Sequence, residues 1–186
     1  MDGAWAHHRQ PKRHVDWDEP RLRYAPNVTA TNWPTDWNEL TAMAGEPIDQ
    51  LAALHQEIDD SVDPVIVELC RLRIAGLVGA RAHASLRRPK ATAAGLTETK
   101  IAALAGWPES PLFSAAERAC LALAELFCMG AYTVTDADVA AVLEHLSADE
   151  CYALVNGIWA MEALARMTVV MDVDPDPHAL GLVPAS

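Results

Sequence analysis

After residue 36, apolar positions follow a helical period almost without interruption. They recur at i, i+3 and i+4, or nearly all round, in VIVELCRLRIAGLVG, RACLALAELFC, VAAVLEHL and CYALVNGIWAMEALARMTVVM. No stretch has a convincing alternation of apolar and polar residues, which is the pattern of a half-buried strand. The sequence therefore predicts an all-α domain with roughly six to eight helices.

Helix start and stop signals agree with this pattern. Asp63-Pro64 combines a capping carboxylate with a proline at the first helical position, and Gly79 is placed to end the helix that follows. Gly95 is a second stop, after which TETK from Thr97 opens the next helix. Three further starts are capping boxes, in which a hydroxyl and a carboxylate satisfy backbone amides. They are SAAE from Ser114, SADE from Ser147 and a weaker TDAD from Thr135.

Composition divides the chain into three parts. Residues 1–35 are rich in Pro, Trp, His and Arg and have no sustained period, so we expect an irregular N-terminal arm. Its tryptophans indicate anchoring to the domain body or to another subunit, because a solvated tail would gain nothing from them. Residues 36–172 form the predicted single helical domain, and the Pro- and Asp-rich residues 173–186 form a C-terminal tail.

The net charge excludes some partners. Lys and Arg number 14 and Asp and Glu number 26, so 14 − 26 = −12, which argues against nucleic acid, because phosphate contacts need clustered basic residues. The first ten residues lack an apolar signal core, and no uninterrupted apolar run reaches the ~18 residues of a membrane span. We therefore expect a cytoplasmic protein without a membrane partner. Alanine-rich helices bury little area per residue, so we also expect self-association.

The cysteines do not form a redox or metal motif. They stand at positions 70, 120, 128 and 151, so the sequence contains no C-x-x-C pair. Their flanks are helical and mostly apolar, which is typical of buried thiols in a reducing compartment. We expect no metal ion and no cofactor.

Three segments carry a family resemblance that covers more than half of the chain. They are VELCRLRIAGLVG, AAGLTETKIAALAGWPESPLFSAAERACLALAE and VTDADVAAVLEHLSADECYALVNGIWAMEALAR. In order and spacing, and above all in W-x-E-S-P-L-F-S-x-x-E-R-A, they resemble the carboxymuconolactone decarboxylase and AhpD-like alkylhydroperoxidase superfamily. The resemblance implies an AhpD-like helical bundle with the active site near subunit contacts. It also implies a homo-oligomer, either a trimer or a hexamer, with a dimer left open.

The resemblance also locates reactive positions, and this sequence departs from them. The peroxidase branch has a glutamate, a cysteine twelve residues on, a second cysteine three later and a histidine four after that. Glu68 matches the glutamate, but Ala80, His83 and Arg87 stand in the other slots. The decarboxylase branch has E-W-x-x-H and then a proline; Pro89 is present, whereas His83 and Arg87 replace the reactive pair. A disulfide-forming peroxidase cycle at this site is therefore excluded.

One interpretation of these positions is replacement chemistry. If the chain turns near Gly79 and a second helix begins at once, Ala80, His83 and Arg87 fall on one face of that helix. His83 would then be the catalytic acid or base, and Glu68 would orient it or exchange its proton. Arg87 would hold a carboxylate or an enolate in its guanidinium fork.

The pocket around such a site is expected to be partly apolar. Ala80, Trp107 and Trp159 are its candidate substrate-binding walls, although both tryptophans could equally be core residues. The expected ligand is a small molecule that bears a carboxylate or a carbonyl. The reaction would be a decarboxylation, an isomerisation or a related proton transfer, carried out by a lyase or an isomerase.

The same residues also have structural interpretations. Glu68 could pair with Arg71 one turn along its helix, and His83 could be a buried histidine with satisfied hydrogen bonds. A metal site built on Glu68 and His83 would need a third ligand such as His55 or His145, and it has no spacing signature. The remaining basic residues of this region are expected to be solvated or to bridge subunits. They are Arg81, Arg88 and Lys90.

Two classes of function remain open at this point. The first is a cysteine-independent acid–base enzyme on the AhpD-like scaffold. The second is a non-catalytic relative, an oligomeric binding or accessory protein that kept the fold and lost the chemistry. Peroxidase activity through a cysteine outside the family positions, such as Cys70 or Cys128, is the weakest of the readings.

Overall fold

The computed structural model describes residues 33–185, apart from the side chains at positions 55–57 and 59. The predicted N-terminal arm lies outside the described residues, except for positions 33–35. Pro34–Ser186 make up one compact unit, which contains every element named below. The described residues are mainly helical, and the prediction of an all-α fold is confirmed.

The described residues form nine α-helices, one more than the upper end of the prediction, because several of them are only one turn long. In chain order they are α1 (Trp37–Ala44), α2 (Glu46–Glu57), α3 (Pro64–Val78), α4 (Arg81–Ala84), α5 (Pro89–Ala93), α6 (Glu98–Ala102), α7 (Ala115–Gly130), α8 (Asp136–Leu143) and α9 (Ala148–Met171). Short 3-10 turns occur at Ile58–Asp60, Ala103–Gly106 and Ala131–Thr133. The strands are β1 (Leu86–Arg87) and β2 (Val183–Pro184).

The helix boundaries follow the local signals in the sequence. The Asp63 carboxylate accepts a hydrogen bond from the backbone N–H of Val65 at 2.7 Å, and α3 ends at Gly79, which is left-handed with φ 74°. All three predicted capping boxes are present, with both reciprocal hydrogen bonds formed. They cap α7 at Ser114, α8 at Thr135 and α9 at Ser147.

The main core lies between α3, α7 and α9. Nine of the fifteen residues of α3 are buried, and α3 packs against both of the other helices. Fully buried side chains meet from all three helices, and each contributes about 1.5–3 kcal/mol of apolar burial. Examples are Val67 on α3, Leu121 on α7 and Ile158 on α9.

Among the described residues, α9 alone is long and apolar enough to cross a membrane by length and composition. Its packing is that of a core helix, because it lies against α2 and α3 and buries residues along most of its length. Leu154, Met161 and Leu164 on this helix are almost completely buried. These contacts account for the apolar residues on the buried side of α9.

The residues after α9 pack onto the helical unit as part of its second core cluster. Val173, Leu180 and Leu182 are buried together with Trp37 and Leu40 of α1. Further on, β2 pairs with β1 in antiparallel register, and the Ala185 N–H donates to the Ser85 carbonyl at 3.0 Å. The end of the predicted tail is therefore hydrogen-bonded to the segment between α4 and α5.

The helix after Gly79 is shorter than predicted. It ends at Ala84, and Arg87 lies in β1 rather than on the same helix as His83. Leu86 and Arg87 pair with β2 instead of continuing the helix, and Pro89 disfavours helical geometry at Arg88, which is extended, with φ −82° and ψ 120°. The prediction that Ala80, His83 and Arg87 share one helix face is therefore wrong.

We predict that Gly157→Ala destabilises the protein by about 1–3 kcal/mol, because the core around it is already filled. A Cβ at position 157 of α9 would lie 1.6 Å from Cδ1 of the buried Ile58. Urea denaturation measures the free energy of unfolding. The cost should fall in the Ile58→Val background, where that methyl group is absent.

The matched control for this change is Gly76→Ala. Gly76 is an exposed glycine on α3, and a Cβ there would meet nothing within 4 Å. This variant should gain about 0.4–1 kcal/mol, because alanine restricts the unfolded chain. Equal effects of the two substitutions would contradict the packing described at Gly157.

Candidate functional site

The candidate site is organised by an ion pair inside α3. Glu68 and Arg71 are 0% and 2% exposed. Arg71 Nε donates to Glu68 Oε2 at 2.7 Å, and Arg71 Nη2 donates to Glu68 Oε1 at 2.7 Å. Both carboxylate oxygens are therefore bound by one guanidinium in the bidentate geometry that is strongest for this pair.

The rest of the Arg71 guanidinium holds the segment that follows α3. Arg71 Nη1 donates to the carbonyl of His83 at 2.8 Å, and Nη2 also donates to the carbonyl of Leu86 at 2.7 Å. Glu68 contributes as well, because its Oε1 accepts the backbone N–H of Arg88 at 3.2 Å. The Arg88 Nε lies 3.7 Å from Glu68 Oε2. The conformation of the α4–β1 segment is thus set by this buried pair.

His83 lies on α4 with its ring against α9. The residue is 2% exposed, and its Nε2 is 3.1 Å from the hydroxyl oxygen of Thr168. The Thr168 hydroxyl donates its own proton to the carbonyl of Ala165 at 3.0 Å. With the hydroxyl proton assigned in this way, the His83 tautomer that completes both hydrogen bonds has its proton on Nε2 and its lone pair on Nδ1.

Burial and charge keep His83 neutral. Desolvation of the ring, reinforced by the nearby positive charge of Arg71, lowers the pKa of His83 to about 4. Burial disfavours the charged imidazolium, and a neighbouring cation disfavours it further. His83 is therefore a neutral imidazole at physiological pH.

The structure brings Glu68 and His83 into one cluster, in which Arg71 binds the carboxylate of Glu68 and the backbone carbonyl of His83. In the described part of the chain the ring of His83 is hydrogen-bonded to Thr168, whereas the carboxylate of Glu68 is occupied by Arg71 and by the Arg88 backbone. The structure therefore contains the ion pair between Glu68 and Arg71 that the sequence offered as a structural interpretation of Glu68.

Arg87 points to a different partner. Its Nε and Nη2 donate to the two carboxylate oxygens of Glu98 at 2.8 and 3.0 Å, and its Nη1 donates to the carbonyls of Ala84 and Leu86. The hydrogen bonds that Arg87 donates to Glu98 raise the pKa of Arg87 and lower the pKa of Glu98. Arg87 is thus held at the edge of α6, where its partner Glu98 is 57% exposed.

The two tryptophans proposed as pocket walls lie away from His83. The buried Trp107 donates its indole N–H to Glu125 at 2.6 Å, and Glu125 also pairs with Arg73. Arg73 is about 200° around α3 from Arg71, so this cluster is on the other side of that helix. Trp159 is exposed on α9, half a turn around the helix from Thr168.

Ala80 remains next to the candidate site. It is buried at the start of α4 in a small cluster with Ala75 of α3 and Ala165 of α9. Ala165 is the residue whose carbonyl accepts the Thr168 hydroxyl proton. Position 80 is therefore a close contact between helices, which a small side chain permits.

The four cysteines are not activated. Desolvation raises the pKa of every one of them, to about 12 for Cys120 and Cys128. A thiol with a raised pKa carries little thiolate at neutral pH and reacts slowly with peroxides. Over the described residues no group of His, Cys, Asp and Glu is arranged to hold a metal ion, and the side chain of His55 lies outside that set.

Two members of the cluster were not assigned a role from the sequence. Thr168 is one of several polar residues in the long helix α9. The neighbouring sequence gives no sign that Thr168 contacts His83, which is far away in the chain. Arg88 was grouped with solvated arginines, yet it is 1% exposed. The local signal in the sequence is the position of Arg88 directly before Pro89, because a residue before proline favours an extended backbone.

Comparison with known proteins identifies the fold. Neither a scan for protein families nor a comparison with curated proteins finds a match. Among solved structures, a protein of unknown function from Agrobacterium tumefaciens, a candidate antioxidant defence protein AhpD, superposes with a TM-score of 0.63 and 23% sequence identity. The match covers 75% of this chain and 96% of that one. The chain therefore has the AhpD-like all-α fold, as the sequence resemblance implied.

We predict that Arg71→Lys lowers the free energy of unfolding by about 3–5 kcal/mol, because it leaves the buried Glu68 without its guanidinium. Lysine cannot form the bidentate pair and bind two backbone carbonyls at once. Arg73→Lys is the matched control, since Arg73 is on the same helix in a partly exposed pair with Glu125. Equal losses in urea denaturation would contradict the role given to Arg71.

We also predict an acid-labile component of stability from His83. The pKa of 6.5 in the unfolded chain falls to about 4 on folding, so the unfolded state binds more protons between these values. Stability is complete above pH 6.5 and is lost as the pH falls toward 4. At 1.36 kcal/mol per unit, the shift is worth about 3 kcal/mol.

The measurement compares wild type with His83→Gln in urea at pH 7 and at pH 4. The stability advantage of wild type should shrink by about 3 kcal/mol at the lower pH, because glutamine does not titrate. His145→Gln, at an exposed histidine, is the control and should track the wild type. A wild-type advantage that does not change with pH would show that His83 is not buried as a neutral ring.

Proposed function

We propose that this chain is a non-catalytic, homo-oligomeric binding or accessory protein of the cytoplasm, built on the AhpD-like fold. In this proposal, the positions of the redox pair have become part of a buried structural cluster. The small-molecule ligand and the oligomer are expectations from the sequence that the proposal keeps. The proposal is supported by the existing contacts of Glu68, His83 and Arg87, the three residues that a catalytic site would need.

The observation that carries the proposal is the occupation of Glu68. Both of its carboxylate oxygens are bound by Arg71 at 2.7 Å in a site that is closed to solvent. Acting as a proton acceptor would require Glu68 to give up this pair, and breaking a buried ion pair costs about 3–5 kcal/mol. The arrangement suits a structural anchor far better than a general base.

The other two candidates support the same conclusion. A general base works best when its pKa is near the operating pH, and the pKa of about 4 makes His83 a weak base at pH 7. Arg87 is bound bidentately by Glu98, so a substrate carboxylate would have to displace an internal carboxylate. Glu68 and Arg87 could act only after losing an existing ion pair, and His83 is a weak base.

Peroxidase activity through other cysteines has less support still. The structural neighbour is a candidate antioxidant defence protein AhpD, but it is 23% identical and bears on the fold alone. Cys70 and Cys120 are fully buried, and burial raises the pKa of each thiol. We therefore do not extend an antioxidant activity to this chain.

The second candidate function is the acid–base enzyme, and one observation favours it. His83 is neutral, with its Nε2 proton held by Thr168, so Nδ1 has a lone pair that could accept a proton. Glu98 is largely exposed, so it could release Arg87 to a substrate carboxylate at modest cost. In that function Glu68 would position the segment through Arg71, and Ala80 would be the nearest candidate wall.

One experiment separates the two candidates. Full-length wild type is incubated in deuterium oxide with small 2-oxo acids and carboxylated lactones, and proton NMR follows exchange and decarboxylation. A parallel assay follows peroxide loss with dithiothreitol as the reductant. We expect both rates to equal those of protein-free buffer.

The variants decide what a positive result would mean. Turnover by wild type that is lost in His83→Gln and kept in His145→Gln would overturn the non-catalytic proposal and establish the acid–base enzyme. Peroxide consumption that disappears when the four cysteines are replaced by serine would establish the peroxidase instead.

A further inference from the structure

One face of α9 exposes large apolar and aromatic side chains. Tyr152 is 73% exposed, Trp159 53% and Val170 73%. In the most apolar window of this helix, 44% of the residues are buried within the chain. A helix that is apolar on nearly all sides is normally buried on nearly all sides, and residues 33–185 leave this face of α9 uncovered.

The exposed face has the spacing of a helix-pairing seam. Its positions alternate by four and by three residues along α9, as the contact positions of a coiled coil do. We call this set the α9 seam: Tyr152, Asn156, Trp159, Ala163, Arg166 and Val170. None of the six is buried.

We propose that the α9 seam packs against the same seam of a second copy of this chain, antiparallel and around a two-fold axis at Trp159. The proposal rests on the self-association contained in the proposed function, and it adds the surface and the symmetry. A two-fold interface uses the same patch on both copies, so the patch must complement itself. Within the α9 seam, Tyr152, Trp159 and Arg166 meet this condition, because they are spaced seven residues apart.

The two copies complement each other because of the residue spacing on either side of Trp159. Tyr152 is seven residues before Trp159, and Arg166 is seven residues after it. Antiparallel pairing about Trp159 therefore places Tyr152 of one copy opposite Arg166 of the other, twice. A guanidinium over a tyrosine ring is a favourable cation–π contact of roughly 0.5–1 kcal/mol or more.

Arg166 is already held in position for this contact. Its Nε donates to Glu162 at 2.8 Å, and its Nη2 donates to the carbonyl of Cys128 at 3.1 Å. These bonds use the edge of the guanidinium, whereas stacking on a ring uses its face. The side chain of Arg166 is 53% exposed, so less conformational freedom is lost on association than for an unrestrained arginine.

The charges favour the antiparallel arrangement and a second copy as the occupant. A parallel pair in the same register would place Arg166 against Arg166, which is repulsive. Within the α9 seam Arg166 is the charged residue, and Glu162 neutralises it. Two chains that each carry a net charge of −12 can therefore approach most easily at such a patch.

The size of the patch fits the centre of an interface. A Tyr or Trp side chain buries about 150–250 Å² when fully covered, so the exposed parts of Tyr152 and Trp159 supply roughly 250 Å² per copy. A stable interface buries about 800 Å² per partner. Trp, Tyr and Arg are the residue types that dominate binding energy at interface centres. The α9 seam contains all three of these residue types.

The first test measures the mass of the full-length protein by size-exclusion chromatography with light scattering. We expect an even number of chains for wild type, and half that mass for Trp159→Ala and for Arg166→Glu at the same concentration. Tyr132→Ala is the matched control, because Tyr132 is 91% exposed and lies outside the α9 seam. Circular dichroism checks that each variant keeps its helices.

The outcomes separate this inference from the proposed function. A wild-type trimer, or an assembly that survives both seam variants, would overturn the seam while leaving an oligomeric, non-catalytic protein. A monomeric wild type would overturn the seam and the expected self-association together, whatever other segment or molecule covers the face.

The second test checks the direction of the pairing. Tyr152→Cys and Arg166→Cys chains are mixed and treated with a short bis-maleimide, with wild type as the blank for the four native cysteines. Antiparallel pairing predicts a cross-linked dimer in the mixture and little in either variant alone. Efficient cross-linking of Arg166→Cys to itself would show parallel pairing and overturn the register.

Discussion

The buried pair of Glu68 and Arg71 is the interaction on which the rest of the candidate site depends. A buried ion pair adds little net stability by itself, because desolvation of both charges offsets their attraction. Its effect here is geometric. Besides binding Glu68, the guanidinium of Arg71 donates hydrogen bonds to the backbone carbonyls of His83 and Leu86. The buried guanidinium of Arg71 thereby fixes the backbone conformation of the segment after Gly79.

This constraint also relates the chain to its fold. The chain turns sharply after α3 at Gly79, and α4 begins at Arg81. Arg71 holds this turn through the carbonyls of His83 and Leu86, and the ring of His83 is hydrogen-bonded to Thr168 of α9. Hydrogen bonds and packing therefore set the conformation of this part of the AhpD-like fold.

Local signals in the sequence predicted the fold, and non-local contacts account for what they missed. The start of α3 at Asp63, its end at Gly79 and the three capping boxes each depend on residues within a few positions of one another. The pairing of His83 with Thr168, and of Arg87 with Glu98, depends on tertiary packing that no spacing rule encodes. The length of α4 depends on both kinds of signal, because Pro89 acts locally on Arg88 whereas the pairing of β1 with β2 is non-local.

The pairing of β1 with β2 has a consequence for how the site is assembled. The strand beside His83 pairs with Val183 and Pro184, so the two strands of this small sheet are separated in the chain by α5 to α9. Contacts between residues so far apart in the chain close late in folding, because the loop entropy must be offset first. During synthesis, a ribosome-bound chain could complete α3 and α7 while the segment around His83 still waits for its last strand. Maturation of the site is thereby coupled to completion of the whole helical unit.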